Sequence, residues 1–330
     1  MKDAFGRSIE YVRLSLTDRC NLRCVYCMPP EGVASLPHDE ILRIEEFARL
    51  IRIIAPLGVK HIRLTGGEPL VRKGVVDLVK EAKQTPGIES VALTTNALLL
   101  PRFGDELKEA GLDRVNISLD SLDPDEYRRI TRCGCLDDAL AGIDAALKLG
   151  FDPVKINVVA MRDAGQDYWS FAKLTLDSPL HVRFIEYMPV GGETFASSWE
   201  RERVVSAEEI LGQIDDHARD HGVGSLLPTD EGPLGLGPAR YYRLPGAQGT
   251  IGVISALSNH FCSSCNRMRV TSDGKLRPCL FSDEEYELKN ALRTGTDEEV
   301  ARLFLRAVNG KPQDHHDRVG TRRTMSQVGG

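Results

Sequence analysis

The sequence predicts an α/β fold in which parallel strands, with helices outside them, enclose a polar inner face, followed by a smaller and more β-rich part. Three observations predict it. Strand-like runs alternate with helical stretches over roughly residues 10–190, the pattern of parallel βα units. Apolar and polar residues alternate within those strands, whereas parallel strands buried on both faces read as nearly continuous apolar runs. After residue 195 the rhythm breaks. Units of this kind form an open or partial barrel or a doubly wound sheet. The repeated polar face favours helices outside and a ligand-filled lumen.

The elements follow in order. In "YVRLSLT", Val12, Leu14 and Leu16 share one face and Arg13 and Ser15 the other. "DEILRIEEFARLIRIIAPLG" (39–58) reads as a helix. "VKHIRLTGGEP" sets Ile62 and Leu64 against His61, Arg63 and Thr65. "ESVALTTN" sets Val91 and Leu93 against Ala92, Thr94 and Asn96, and "DRVNISLD" sets Val115, Ile117 and Leu119 against Asn116, Ser118 and Asp120. After the helical "LDDALAGIDAALKLG" (136–150), "PVKINVVA" opposes Val154, Ile156 and Val158 to Lys155 and Asn157, and "HVRFIEYMP" is the sixth strand. Buried Arg and Lys need partners, so the lumen is expected to hold an anion. "SWERERVVSAEEILGQI" (198–214) looks helical, and Gly and Pro thicken through "LPTDEGPLGLGPAR" (227–240). A domain change is placed near residue 200, giving parts 1–200 and 201–330.

Composition narrows the function classes. The 330 residues suit one large domain or two unequal ones, and 42% hydrophobic with 27% charged residues is an ordinary soluble balance. The net charge of −6 argues against general nucleic-acid binding but allows a local cationic pocket. No run of about 18 apolar residues predicts a membrane span. The start "MKDAFGRSIEYVRLS" lacks the apolar core of a signal peptide, so a cytoplasmic location is expected, where thiols stay reduced. Eight cysteines there suggest metal or redox chemistry rather than disulfides.

"DRCNLRCVYCMPP" carries Cys20, Cys24 and Cys27 with C-x3-C-x2-C spacing, on a loop after the first strand. Three thiolates fit an iron–sulfur cluster better than zinc, because structural zinc sites complete four ligands. A cluster held by three cysteines keeps one iron open for a chelating molecule. "GGEP" (Gly66–Pro69) ends the second strand, where barrel enzymes place their active sites. Its glycines allow close backbone approach to a ligand. "NHFCSSCNRMRVTSDGKLRPCLF" adds Cys262, Cys265 and Cys279. Taken alone, this second triad reads equally as a cluster or as a zinc site completed by His260 or a distant residue. Arg267 and Arg269, at i and i+2 of an extended strand, point the same way and suit planar recognition of phosphate or carboxylate.

The first triad, with Tyr26 before its third cysteine and "GGEP" following, is the signature of the radical S-adenosylmethionine (SAM) superfamily. The whole set closely resembles the MoaA family, the GTP 3',8-cyclases of molybdenum cofactor biosynthesis. It comprises "LTDRCNLRCVYCMP", "RLTGGEP", "TTN", "NISLDSLD", "KINVV", "RFIEYMP", "HFCSSCNRMRVTSDGKLRPCL" and terminal Gly329–Gly330. The resemblance implies a partial (β/α)6 TIM-type barrel with a smaller C-terminal α+β domain. It implies two 4Fe–4S clusters, one with SAM on Cys20, Cys24 and Cys27, and one with substrate on Cys262, Cys265 and Cys279. Tyr26, Gly67, Ser118 and Met188 are implied to line the SAM site, with Glu68, facing the SAM ammonium, and Asn96 as neighbours. Arg13, Arg63, Thr94, Lys155, Arg267, Met268, Arg269 and Arg183 are implied to contact GTP, and the Gly-Gly tail to reach toward the active site. The implied chemistry is abstraction of the ribose 3' hydrogen by a 5'-deoxyadenosyl radical and attack on guanine C8. No catalytic side chain beyond the clusters and that radical is implied. An external flavodoxin- or ferredoxin-like donor, a downstream cyclic pyranopterin monophosphate synthase, and a monomer or homodimer without nucleic-acid or membrane partners complete the expectation. Three places depart from the pattern or stand outside it. Ala97 follows "TTN" where the family often has Gly, Cys133 and Cys135 read as free thiols, and "QDHHDR" (313–318) reads as a solvated loop.

Overall fold

The computed structural model describes residues 1–34, 36–188, 190, 203–233, 237–315 and 321–329. Six parallel strands arise where alternation predicts them: β1 (Tyr11–Ser15), β2 (His61–Thr65), β3 (Ser90–Thr95), β4 (Arg114–Ser118), β5 (Val154–Ala160) and β6 (Leu180–Glu186). Their apolar faces join one buried cluster, from Val12 and Leu14 through Ile62, Leu64, Val91, Leu93, Val115 and Ile117 to Ile156, Val182 and Phe184. The helices that cover this face present apolar residues at helical spacing. In α1 (Ile44–Ile54) these are Phe47, Leu50, Ile51 and Ile54.

Helix α1 starts at Ile44 rather than Asp39. The Leu42 N–H donates to the Ser272 carbonyl (2.8 Å), and the Glu46 carboxylate accepts from the Arg43 N–H (2.7 Å), so the approach to the helix is extended and capped. After α2 (Val75–Gln84), α3 (Leu100–Glu109), α4 (Pro124–Thr131), α5 (Leu136–Lys148) and α6 (Tyr168–Asp177), the expected helix over 198–214 is only partly seen. Residues 198–202 lie outside the described ones. Val204 bridges Met161, and α7 runs Ala207–Asp220 behind a Ser206 cap whose side chain accepts from the Glu209 N–H.

The residues beyond 200 extend the same sheet. Its order is β12-β11-β10-β1-β2-β3-β4-β5-β6-β9-β8-β7. Strand β10 (Arg267–Val270) pairs parallel with β1, and β9 (Thr250–Ile254) parallel with β6. Antiparallel strands β11 (Lys275–Arg277) and β12 (Tyr286–Glu287) lie beyond β10. On the other side, β8 (Arg240–Arg243) and β7 (Leu227–Pro228) lie antiparallel beyond β9. Helices α8 (Lys289–Thr294) and α9 (Asp297–Asn309) return to the core, and the short α10 (Met325–Val328) turns the tail inward. Among the described residues no helix is long and apolar enough to cross a membrane.

Candidate active site

The polar inner faces of the strands line one cavity. Its middle is a belt of cations set by strand register. Arg269, Arg13 and Arg63 are direct neighbours across β10, β1 and β2, while Lys155 pairs with Asn116 and Arg183 with Asn157. Like charges placed side by side on one sheet face destabilise it unless a counter-charge arrives. The titration shifts express that strain. Burial, then Arg183, Arg63 and Arg114, depress Lys155 to about 6. Burial and, among its charged neighbours, Arg13, Arg183 and Arg267 depress Arg63 to about 9. Burial pushes the Tyr11 hydroxyl up, but Arg63, Arg13 and Arg267 outweigh it and bring it to about 8. Among the described residues, Arg13 Nε, Arg63 Nε, Arg183 Nε and Thr94 Oγ1 are buried without a hydrogen-bond partner. These donors fit a polyanion.

At one end lie Cys20, Cys24 and Cys27, on the loop after β1. The turns after β2, β3 and β4 and the end of α4 hold this loop. Gly67 N–H donates to the Thr17 carbonyl (2.7 Å) and Glu68 N–H to that of Arg19 (2.8 Å). A Cβ on Gly67 would stand 2.3 Å from Arg19 O, so only glycine fits there. Arg23 and Val25 N–H groups donate to the carbonyls of Thr131 and Ile130 at the end of α4. The Tyr26 hydroxyl donates to Asp120 (2.7 Å), and Asn96 Nδ2 donates to Asn21 Oδ1 (2.7 Å). Burial, then neighbouring charges, raise Cys20 to about 11 and Cys27 to about 12. These thiols therefore hold their protons until a metal displaces them.

The second triad sits at the other side of the belt. Cys262 and Cys265 flank a single tight turn, with Cys265 N–H donating to Cys262 O (3.2 Å), and Cys279 follows β11. Burial would raise the Cys265 thiol, but Lys311 and Arg267 draw it down. The guanidinium of Arg267 lies over the Phe261 ring at 4.9 Å. Among the described residues no three His, Cys, Asp or Glu side chains converge as a single-ion site. Each triad offers three soft thiol donors, which suit an iron–sulfur cluster, and His260 and His315 stand beside the second.

Most residues expected at the site do line the cavity: Tyr26, Gly67, Asn96, Ser118 and Met188, then Arg13, Arg63, Thr94, Lys155, Arg183, Arg267 and Arg269, and all six cysteines. Two do not line it. Met268 has no exposed surface and belongs to the hydrophobic core, because alternation turns it away from its two arginine neighbours. Glu68 is 1% exposed and sits behind the wall, accepting from Leu70 N (2.9 Å), Thr95 Oγ1 (2.9 Å) and Asn96 N (2.8 Å). It braces the turn and does not face the cavity. The tail does reach in: Arg269 Nη1 donates to the Gly329 carbonyl (2.5 Å), while Gly330 lies outside the described residues. Cys133, distant in sequence, is brought beside the first loop with Sγ 3.5 Å from Asn21 O, and it and Cys135 are exposed free thiols. Ala97 is forced to φ +69°. Of the 313–318 stretch, His315 is buried against the second triad, while residues 316–318 lie outside the described ones.

Sequence reasoning missed Tyr11, Arg7, Lys311 and His315. Tyr11 carried a signal, since alternation puts it on the Arg13 face. The other three are placed by tertiary contact alone.

The profile of the radical SAM superfamily matches residues 14–174, and that of Molybdenum Cofactor Synthesis C matches residues 180–317. Among solved structures, Streptococcus suis SuiB bound to S-adenosylmethionine superposes with a TM-score of 0.62 at 14% identity, over 86% of this chain and 64% of that one. Native anSMEcpe with bound AdoMet gives 0.58 at 16% identity, over 94% and 83%. At such identities the likeness is one of fold. Fold, cysteine loop and profile together define the class, a radical SAM enzyme, which works with SAM and an iron–sulfur cluster. Full-length relatives narrow it. The GTP 3',8-cyclases of Heliobacterium modesticaldum (strain ATCC 51547 / Ice1) and Pelotomaculum thermopropionicum (strain DSM 13744 / JCM 10971 / SI) are each 52% identical over 100% of both chains. The chain belongs to the GTP 3',8-cyclase family.

Proposed function

We propose that this enzyme cyclises GTP to (8S)-3',8-cyclo-7,8-dihydroguanosine 5'-triphosphate, a step of molybdenum cofactor biosynthesis, using a cluster on each cysteine triad. The observation that carries the reading is one cavity with three thiols at either side of a buried cationic belt. Cys20, Cys24 and Cys27 would hold a cluster that, when bound, would supply the one-electron reduction of SAM. Gly67, Ser118, Asn96, Tyr26 and Met188 hold SAM in the adjoining wall, with Glu68 fixing the backbone of that wall. Arg13, Arg63, Lys155, Arg183, Arg267 and Arg269 neutralise the triphosphate, and Thr94 donates to it. Fixing the phosphates on the belt orients the ribose toward the SAM end and the guanine toward Cys262, Cys265 and Cys279. A wall closed by strands on both sides keeps water from a carbon radical. The electron would come from an external one-electron donor of flavodoxin or ferredoxin type, and the product would pass to a cyclic pyranopterin monophosphate synthase.

The test is anaerobic turnover with SAM, a reductant and each nucleoside triphosphate in turn, alongside iron and sulfide analysis. GTP is expected to react far better than ATP or CTP, in protein holding about eight irons per chain. Equal turnover of ATP would remove the assignment.

A further inference from the structure

The second cysteine loop is gripped from behind by side chains that the proposed reaction does not use. His315 Nδ1 lies 3.0 Å from Cys262 Sγ. Its ring stacks on Phe281, with centroids 4.8 Å apart and planes at 19°, and meets the edge of His260 at 5.3 Å. Lys311, 3% exposed, donates to the carbonyls of Arg267 (2.8 Å), two residues after Cys265, and Pro278 (2.6 Å), next to Cys279. Arg7 closes the arrangement from the other end of the chain. Its Nη1 donates to Cys262 O (2.8 Å) and Gln313 O (2.9 Å), its Nη2 to Pro312 O (2.6 Å), and its Nε to Asp3 (2.6 Å). One five-residue segment thus touches the backbone or sulfur around all three cysteines.

We propose that the 311–315 segment, latched by Arg7, is the outer hydrogen-bonding layer of the second iron–sulfur site, and that His315 is a positioning residue that donates to the Cys262 sulfur and raises the reduction potential there. A metal-bound thiolate carries no proton, so the ring nitrogen facing it must be the donor. A donor at sulfur stabilises the extra negative charge of the reduced cluster, and potentials of such clusters respond to hydrogen bonds at their sulfurs. Stacking on Phe281 and the Arg7 latch fix the ring, so the bond keeps its geometry in both redox states. The inference rests on the two-cluster reading.

The test is a redox titration of full-length, anaerobically reconstituted protein, followed by electron paramagnetic resonance. The second site is read from the signal that added SAM leaves unchanged. His315→Phe removes the ring donor, leaves the backbone hydrogen bond from residue 315 to Cys262 and keeps a ring on Phe281, while His315→Gln keeps a side-chain donor. Both variants are expected to hold wild-type iron. In His315→Phe the reduced-to-oxidised ratio of the second site at fixed potential should fall about tenfold, about 59 mV for a one-electron couple. His315→Gln should recover part of it, with the SAM-responsive signal unmoved. Should the Phe variant not fold, Arg7→Lys, which loosens the segment, is expected to move the same potential the same way by less. Wild-type protein holding one cluster overturns the two-cluster reading and the inference together. Two clusters with an unmoved potential overturn the inference alone, as does loss of the second cluster in both His315 variants with the fold intact.

Discussion

At the residue scale, Lys155 is the clearest reporter of what the cavity wants. It is 4% exposed, and burial with neighbouring cations holds it at about 6 against an ordinary 10.5. Between those values the unfolded chain binds a proton that the folded chain lacks, so without ligand stability rises with pH across that window. The charged-form penalty is fully present below about pH 6 and relieved above it. A bound triphosphate reverses the balance by favouring the ammonium. GTP binding at pH 7–9 is therefore expected to take up protons, and affinity to weaken as pH rises. Calorimetry in buffers of different ionisation enthalpy reads the uptake directly, and Lys155→Met should reduce it sharply and stabilise the ligand-free chain. Equal apparent enthalpies in every buffer would show that no proton moves. Ala97 sets three effects against each other. Its positive φ costs about 1–2 kcal/mol, its buried methyl contributes about 0.8 kcal/mol, and a glycine adds about 0.4–1 kcal/mol of unfolded-state freedom. Ala97→Gly should therefore stay within about 1 kcal/mol of wild type in denaturant unfolding, despite relieving the strain.

At the scale of elements, alternation in a strand decides which residue meets substrate and which meets core. Arg267→Ala and Arg269→Ala should each weaken GTP binding about tenfold or more, since a hydrogen bond to a charged group is worth about 1.5–3 kcal/mol. Iron content should not change. Met268→Ala, one residue away, should leave GTP affinity alone and cost about 2–5 kcal/mol of stability through a core cavity. The turn after β2 makes a separate case. In Gly67→Ala the new methyl would meet the Arg19 and Asp18 carbonyls at 2.3 and 2.8 Å, and main chain cannot swing aside as a side chain can. The first cysteine loop must shift, so SAM binding and first-site iron are expected to fall while second-site iron persists. An unaltered SAM affinity would mean that the turn does not set the loop. Arg13, Arg63, Lys155 and Thr94 were legible because a period of two assigns a face without any knowledge of neighbours. Glu68 misled because its motif gives proximity to a ligand but no direction. His315 and Arg7 were invisible because they meet Cys262 across 53 and 255 residues of chain.

At the scale of the molecule, the expected change near residue 200 coincides with no break in the sheet. The β10 strand covers the edge of β1, and β9 covers that of β6, so both ends of the six-stranded unit are completed by later residues. The core is equally shared: Val300, Phe304 and Val308 of α9 belong to the same buried cluster as Leu14, Leu50 and Ile54. Ion pairs also cross between the parts, Arg49 with Asp297 (2.6 Å) and Arg293 with Glu46 (2.9 Å). The Arg49–Asp297 pair is partly exposed and worth about 0–1 kcal/mol, so strand pairing and apolar burial outweigh it. A chain ending at residue 200 would leave two strand edges open, invitations to aggregate. It would also expose the apolar surface that α9 covers, and it would lose Arg267 and Arg269 from the belt. Such a fragment is expected to aggregate on size exclusion and to hold little iron on its own triad. The full chain, in turn, should melt in a single calorimetric transition whose van't Hoff and calorimetric enthalpies agree, the mark of one cooperative unit. Two resolved transitions, or a monomeric fragment that binds SAM, would instead make the first 200 residues a domain in their own right.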